Sequence, residues 1–575
     1  MYDKEYEKWL NGVEYDELKE DLLAVKGNDK EIEYRFGKTL EFGTAGMRGI
    51  LGAGTNMMNV YTVAKATQGL ANYIKSLGSE AKERGVVISY DTRKNSELFA
   101  LCSAGVLSEN EINVYIYDDV RPVPMLSFGV RDRMATAGIM ITASHNPKEY
   151  NGYKVYGPDG AQMSPEATDE VVGYINSCED YFDVKFKKFD CVNGINDKYV
   201  HIIGRETDER YYAELLKLTL SAEAVKKVGK DIKLVYTPVH GSGYVPVTTV
   251  LKRLGINATV VKEQVCKDVD FSTVKLPNPE FKETLAMGID LADRTGADVV
   301  FGTDPDCDRL GVAIRNDKGE FVALNGNQTG ILLLDYVLRR LKEENALPKN
   351  AMVVKSFVST ALAKMIADDY GVEIFDVPVG FKFIGEKIHE SEVDKKHTFV
   401  FGFEESCGYL RGTHARDKDA VVASMLFAEM VCYYNYIGIG VYERLMRIYA
   451  KYGYFKDVNV SKAFGGLRAM DEMNAVVESL RKKTVNKIGD TDVVATRDYM
   501  SGTRTTEDGA IEMLENDNIN CLLYELKGGG FVCVRPSGTE PKLKVYYSVK
   551  AKDFKDGETR LERIKTAFEK IVYGN

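Results

Sequence analysis

The sequence predicts an α/β protein, with three similar mixed α/β domains around a central cleft and a C-terminal α+β domain. Three observations predict it. Short apolar runs of strand character alternate with longer helical patterns through about residue 440, which indicates βαβ units and mainly parallel sheets. Each of three such cycles ends in a strand followed by a polar loop: TASHNP (Thr142 to Pro147), then GTDPDCDR (Gly302 to Arg309), then GFEESCGY (Gly402 to Tyr409). After residue 445 the pattern changes to helices mixed with hairpin-spaced strands. At roughly 150 residues per domain, the chain is long enough for about four.

The elements follow in order. In the first cycle, 86–90, 113–117 and 138–141 read as strands, and 61–77 and 96–107 show helical spacing. The second cycle holds strands at 233–236, 258–261 and 298–301, and the third at 352–354, 372–375 and 398–401. A mostly apolar helix is expected over 419–437, with Asp419 suited to cap it. Strands at 521–526 and 531–534, joined by Lys527-Gly528-Gly529-Gly530, read as an antiparallel hairpin. The expected domains are 1–207, 208–323, 324–445 and 446–575.

The 575 residues are 44% hydrophobic and 28% charged, an ordinary globular balance. A net charge of −10 argues against a general nucleic-acid binder. An anionic substrate would need cations gathered locally. Nine scattered cysteines without a CxxC pair read as free thiols in a reducing compartment. The N-terminus is too charged for a signal-peptide core, and no apolar run reaches the ~18 residues of a membrane span. A cytoplasmic protein, with no nucleic-acid or membrane partner, is the expectation.

Ser144, just beyond a buried strand, is a candidate nucleophile, although Ser/Asn/Pro clusters also simply close strands. With His145 it suggests a serine hydrolase. Against that, adjacent residues on an extended chain point apart, and no G-x-S-x-G elbow is present. Asp304, Asp306 and Asp308 alternate after an apolar strand, so on an extended segment their carboxylates share one side. Such a set repels itself unless a cation fills it, and oxygen ligands with room for phosphate suit Mg²⁺. Arg535-Pro536-Ser537-Gly538-Thr539 combines a guanidinium fork with hydroxyls and an open backbone, as in an anion nest. Glu404 and Ser406 would share one side of an extended loop and could hydrogen-bond vicinal sugar hydroxyls, with an exposed acidic turn as the plainer reading. Arg416 and Lys418 supply cations beside them, with a salt-bridged helix start as the plainer reading. Phe42 to Gly49 is a glycine-rich loop carrying Arg48, a weak phosphate signal alone. Lys382, after Gly380, is either a phosphate or hydroxyl ligand or a helix-start lysine, and His240 reads as structural. No Walker A sequence is present, which disfavours nucleotide hydrolysis.

TASHNP, GTDPDCDR, FEES and RPSGTEP, in this order and at these separations, resemble the α-D-phosphohexomutases. FGTAGMRG, DTRKNS, TPVHGSG and VGFKF fit as well, so the likeness runs from about residue 38 to the C-terminus. The FEESCGY form is similar to the phosphoglucomutase branch, especially its long-chain bacterial group, and close to phosphopentomutase-like relatives. The resemblance implies four domains around a cleft and interconversion of glucose 1-phosphate and glucose 6-phosphate. It also implies glucose 1,6-bisphosphate as activator and intermediate, and a monomer or dimer acting on small sugar phosphates. Phosphopentomutase, phosphomannomutase and sugar-bisphosphate synthase activities are the alternatives within the superfamily. Ser144 would be the phosphorylated serine, completing a Mg²⁺ shell with Asp304, Asp306 and Asp308. Glu404 and Ser406 would bind sugar hydroxyls, with Gly380, Lys382 and Arg416 also at the substrate. Arg535, Ser537, Gly538 and Thr539 would cradle the distal phosphate. Arg48, His145, Lys154, Arg309 and Lys418 would lie near the transferred phosphate, as charge stabilisers or acid/base groups.

Overall fold

The computed structural model describes residues 2–43, 46–464, 468–515, 518–537 and 542–573. Before the first sheet come three helices, Tyr2–Gly12, Asp16–Ala24 and Asp29–Phe36. They dock through Trp9, fully buried among the ring edges of Phe36, Tyr61, Tyr181 and Phe182. Aromatic edges of this kind contribute beyond their buried area.

The first sheet holds β1 (Gly46–Ile50), β2 (Val86–Tyr90), β3 (Val114–Tyr117), β4 (Ala137–Ile141), β5 (Tyr150–Tyr156) and β6 (Val200–Ile203), in the order β1-β5-β4-β2-β3-β6. The second holds β7 (Leu234–Thr237), β8 (Ala258–Val260), β9 (Val299–Thr303), β10 (Leu310–Arg315) and β11 (Phe321–Leu324), in the order β11-β10-β9-β7-β8. The third holds β12 (Ala351–Ser356), β13 (Glu373–Val377), β14 (Thr398–Glu404) and β15 (Gly408–Leu410), in the order β13-β12-β14-β15. The strands expected from sequence are present, each within a few residues.

The sheets are less parallel than the alternating pattern suggested. β4 pairs antiparallel with β5, β9 with β10 and β14 with β15. In each sheet the expected parallel strand therefore folds straight back on itself, and the polar loop is the hairpin connection. The return strands were hidden because Lys154 interrupts β5 and β15 is only three residues long.

The fourth sheet holds β16 (Tyr454–Ala463), β17 (Lys487–Ile488), β18 (Thr491–Asp498), β19 (Thr503–Thr506), β20 (Ile511–Met513), β21 (Leu522–Leu526), β22 (Gly530–Pro536) and β23 (Lys542–Ala551). Its order is β16-β23-β22-β21-β18-β19-β20, all antiparallel, with β17 beside β18. RPSGTEP begins in the last two residues of β22 and runs on toward β23, its antiparallel partner.

The edges expected at 207/208, 323/324 and 445/446 fall inside helix Arg205–Leu216, β11 and helix Val441–Tyr452. The sheets thus divide the chain a few residues away from them. Helix Ala420–Tyr436, apolar all round, lies against helices Ala222–Val228 and Tyr244–Leu254, so the second and third sheets share one core. Asp419 caps it, accepting from the N–H groups of Val421 (2.8 Å) and Val422 (2.9 Å). No single helix among the described residues is long and apolar enough to cross a membrane.

Candidate active site

The turn between β4 and β5 presents Ser144, 3% exposed, in left-handed backbone (φ 51°). The Thr142 hydroxyl accepts from the Ser144 N–H at 2.7 Å. The chain here is a turn and not extended, which corrects the expectation that Ser144 and His145 point apart. Ser144 Oγ lies 3.2 Å from His145 Nδ1 and donates to Asp304 Oδ2 at 2.9 Å. Burial, with Arg309 and Arg48 nearby, holds the imidazole well below its usual pKa, so His145 is neutral near pH 7. A hydrolase needs donors around its oxyanion. The Ser144 hydroxyl instead faces carboxylates, and a hydrolytic dyad is the poorer reading.

Those carboxylates belong to the loop between β9 and β10. Oxygens of Asp304, Asp306 and Asp308 lie within 4.8 Å of one another, all three residues buried. They converge through a turn at Cys307 (φ 49°), and not through the alternation of an extended strand. Asp304 Oδ1 accepts from the N–H groups of Asp308 and Arg309, both at 3.1 Å. Burial and the two neighbouring carboxylates push Asp304 well above the usual range. Burial also pushes Asp306 up, but Lys154 at 3.0 Å overrides it and holds that carboxyl low. Asp306 Oδ1 and Asp308 Oδ1 are buried with no hydrogen-bond partner. Two orphaned anionic oxygens beside a third carboxylate and a serine hydroxyl fit a hard divalent cation such as Mg²⁺.

Cations arrive from three domains. Lys154, on β5, pairs with Asp306. Lys418 bridges Asp308 (3.1 Å) and Asp417 (2.9 Å) and is held charged by them against the penalty of burial. Arg309 lies 3.9 Å from both Asp304 and Asp308 and is gripped by Glu280 at 2.5 Å. Arg48, on β1 beside β5, donates to Asn146 Oδ1 at 2.9 Å. The domains are stitched together at this point: Val123 N–H donates to Asp306 O, and Leu310 N–H to Cys407 O, each at 3.0 Å.

The third and fourth domains supply polar groups further along. Glu404 ends β14, accepts the Gly380 N–H at 2.7 Å, and is pushed up to about 7 by burial and by adjacent Glu405. Ser406 lies half-buried in the turn to β15. Lys382, in the first turn of helix Phe381–Asp394, has its ammonium 5.0 Å from the Phe383 ring centre, and burial lowers its pKa. Arg535, near the end of β22, is the cross-strand partner of Lys544. Ser537 N–H donates to Lys542 O at 2.8 Å, whereas Gly538 and Thr539 lie outside the described residues. Arg416 departs from expectation. Its side chain is fully buried, pairs with Glu392 and donates to Thr413 O, so it braces the loop and presents no free face to a substrate.

Four residues of this site escaped the sequence reading. Arg93 is buried against the Ser144 turn, Glu280 holds Arg309, Asp417 holds Lys418, and Lys544 stands beside Arg535. Two of them left a signal: Asp417 is the chain neighbour of Lys418, and DTRKNS, with Arg93, closes β2, the parallel neighbour of β4, so the ends of the two strands lie side by side.

Four family profiles match in succession: phosphoglucomutase/phosphomannomutase α/β/α domain I over 39–182, domain II over 209–319, domain III over 325–452, and the C-terminal domain over 472–561. A phosphoglucomutase of Staphylococcus saprophyticus is 35% identical over 95% of this chain and 96% of its own. One from Staphylococcus aureus is 35% identical over 92% and 93%. Among solved structures, a putative phosphomannomutase from Thermus thermophilus shares the fold at TM-score 0.67 and 21% identity, covering 92% of this chain and 99% of that one. Parafusin, a phosphoglucomutase from Paramecium, does so at 0.68 and 16% identity, over 94% and 97%. With four domain profiles matched in order and relatives at 35% identity covering more than nine-tenths of its length, this chain belongs to the phosphoglucomutase/phosphomannomutase family of the α-D-phosphohexomutase superfamily.

Proposed function

We propose that the protein is a phosphoglucomutase that interconverts glucose 1-phosphate and glucose 6-phosphate through a phosphorylated Ser144 and a glucose 1,6-bisphosphate intermediate. One observation carries this reading: Ser144 Oγ sits 2.9 Å from Asp304 in a buried three-carboxylate cluster ringed by cations from three domains. Mg²⁺ held by Asp304, Asp306 and Asp308 would neutralise charge on the transferring phosphoryl group.

The chain's own residues supply the rest. Ser144 carries the phosphoryl group and receives it back. Lys154, Arg309, Lys418 and Arg48 surround the transfer point with positive charge, where positioning and electrostatics supply most of the catalysis. Neutral His145 stands at the serine oxygen, free of charge that would compete with those cations. Glu404 and Ser406 offer an acceptor and a hydroxyl to the sugar, and Arg535 and Ser537 offer a fork and a hydroxyl to the far phosphate. Recognition from the third and fourth domains lets the bisphosphate bind either way round, as the second transfer requires.

A coupled assay with Mg²⁺ and bisphosphate activator across glucose, mannose, glucosamine and ribose 1-phosphates tests this. Turnover highest with glucose 1-phosphate is expected, and Ser144→Ala should lose roughly 10³-fold or more. Absence of turnover with every sugar, or full activity in Ser144→Ala, would overturn it. Preference for ribose 1-phosphate would move the assignment to a phosphopentomutase.

A further inference from the structure

Arg93 follows β2 and is fully buried. Its Nη2 donates to Ser144 O and Asn146 O, both at 2.5 Å, and its Nη1 to Pro147 O (2.9 Å) and Tyr150 O (3.1 Å). Asp91 Oδ2 lies 3.5 Å from Nε, and Asp91 Oδ1 is itself fixed by the Arg93 N–H and the Ser96 hydroxyl. The guanidinium is thus committed to four carbonyls of the segment that bears the nucleophile.

A second-domain residue closes the arrangement. The Phe271 ring lies 5.1 Å from the Arg93 guanidinium and is 1% exposed. Its segment is pinned by His240, whose ring nitrogens reach Cys266 O (3.0 Å) and Thr273 Oγ1 (2.7 Å). The turn holding His240 also lies beneath the aspartate loop, where Ser242 N–H donates to Pro305 O at 2.8 Å. One unit therefore caps Arg93 and supports the carboxylates.

We propose that Arg93, covered by Phe271, is the positioning residue of the transferring serine. Four carbonyls gathered around one point repel one another unless a flat cation with several donors lies among them. Gathering them holds Ser144 in left-handed backbone, which a residue with a side chain does not favour, and so aims Oγ at Asp304. Arg93 touches neither substrate nor phosphate, since its Nη donors are occupied by the turn. This inference rests on the mutase reading.

The test is single-turnover labelling of dephosphorylated enzyme by [³²P]glucose 1,6-bisphosphate, alongside steady-state kinetics with glucose 1-phosphate and thermal melts. Arg93→Lys supplies charge without the planar fork and should label about a hundredfold more slowly, with KM changed by no more than about threefold. Arg93→Ala should recover at least about tenfold with methylguanidinium and not with methylammonium. Phe271→Leu should slow labelling by about tenfold. If Arg93→Ala does not fold, Arg93→Lys and Phe271→Leu decide the matter. Labelling of Arg93→Lys at the wild-type rate would overturn this inference alone. So would a rise in KM that accounts for the whole loss, or a loss that tracks melting temperature without methylguanidinium rescue. A wild-type chain that takes no label would overturn the mutase reading and this inference together.

Discussion

Glu404 shows how much one residue's surroundings decide. Burial and Glu405 push its carboxyl up to about 7 from an unfolded value near 4.5. The folded state therefore holds a proton that the unfolded chain releases between those values, so this group subtracts stability as pH rises from about 4.5 to 7. The penalty is of order 3 kcal/mol once fully developed. Glu404→Gln keeps an acceptor for the Gly380 N–H and should melt above wild type at pH 8 but level with it at pH 4.5, by calorimetry without substrate. If Glu404 binds the sugar as proposed, kcat/KM of this variant for glucose 1-phosphate should fall about 10- to 100-fold. The aspartates behave differently. Mg²⁺ bound at the proposed site should raise the wild-type melting temperature, by about 2.7 kcal/mol of stability at a hundredfold excess over Kd, and Asp308→Asn, which removes an orphaned carboxylate oxygen, should abolish that rise. What composition could not reveal at this scale was the partner of each charge. Asp304, Asp306 and Asp308 announced themselves by spacing, whereas Glu280 matters only because the fold carries Arg309 to it.

Among elements, the helix Ala420–Tyr436 joins stability to function. Its cap, Asp419, also accepts from Tyr211 OH and lies against His414 Nε2, each at 2.8 Å, and Lys418 stands next to it in the chain. Asp419→Ala should cost about 2 kcal/mol or more in urea unfolding, from the cap and the stranded tyrosine together, and should lower kcat by letting Lys418 drift from Asp308. The cap and the apolar helix were legible because an acidic residue before a long apolar run is a local signal. The antiparallel returns β5 and β15 were not, because pairing is a non-local property and short or charge-bearing strands imitate loops. Arg416 illustrates the same limit. Beside Lys418 it resembled a second substrate cation, and only the placement of Glu392 shows that it is a brace.

Across the whole molecule, the proposed transfer point at Ser144 and the proposed distal recognition point at Arg535 lie on different domains. The fourth domain joins the third through the Phe357–Tyr499 stack, with ring centres 4.4 Å apart, and the apolar cluster around it. Arg535→Ala should therefore raise KM about 10- to 100-fold, the loss of one charge-assisted fork, while leaving single-turnover labelling of Ser144 by saturating bisphosphate within about threefold. A matching fall in the labelling rate would contradict this division of labour. The four-domain plan was readable from the order of the loops, since each cycle repeats one architecture. The shared core of the second and third sheets was not, because nothing in a single helix states which neighbour will cover it.

The placement of the motifs between antiparallel strands constrains how this molecule can move. The two stems of the TASHNP, GTDPDCDR and GFEESCGY loops are neighbours in one sheet, about 4.8 Å apart, so each of these loops is clasped at both roots and cannot swing open as a hinged flap. Ser144, the three aspartates and Glu404 are thereby fixed to three rigid plates. In the mechanism proposed for Ser144, an intermediate that presents first one end and then the other has to find its room from the plates shifting against one another.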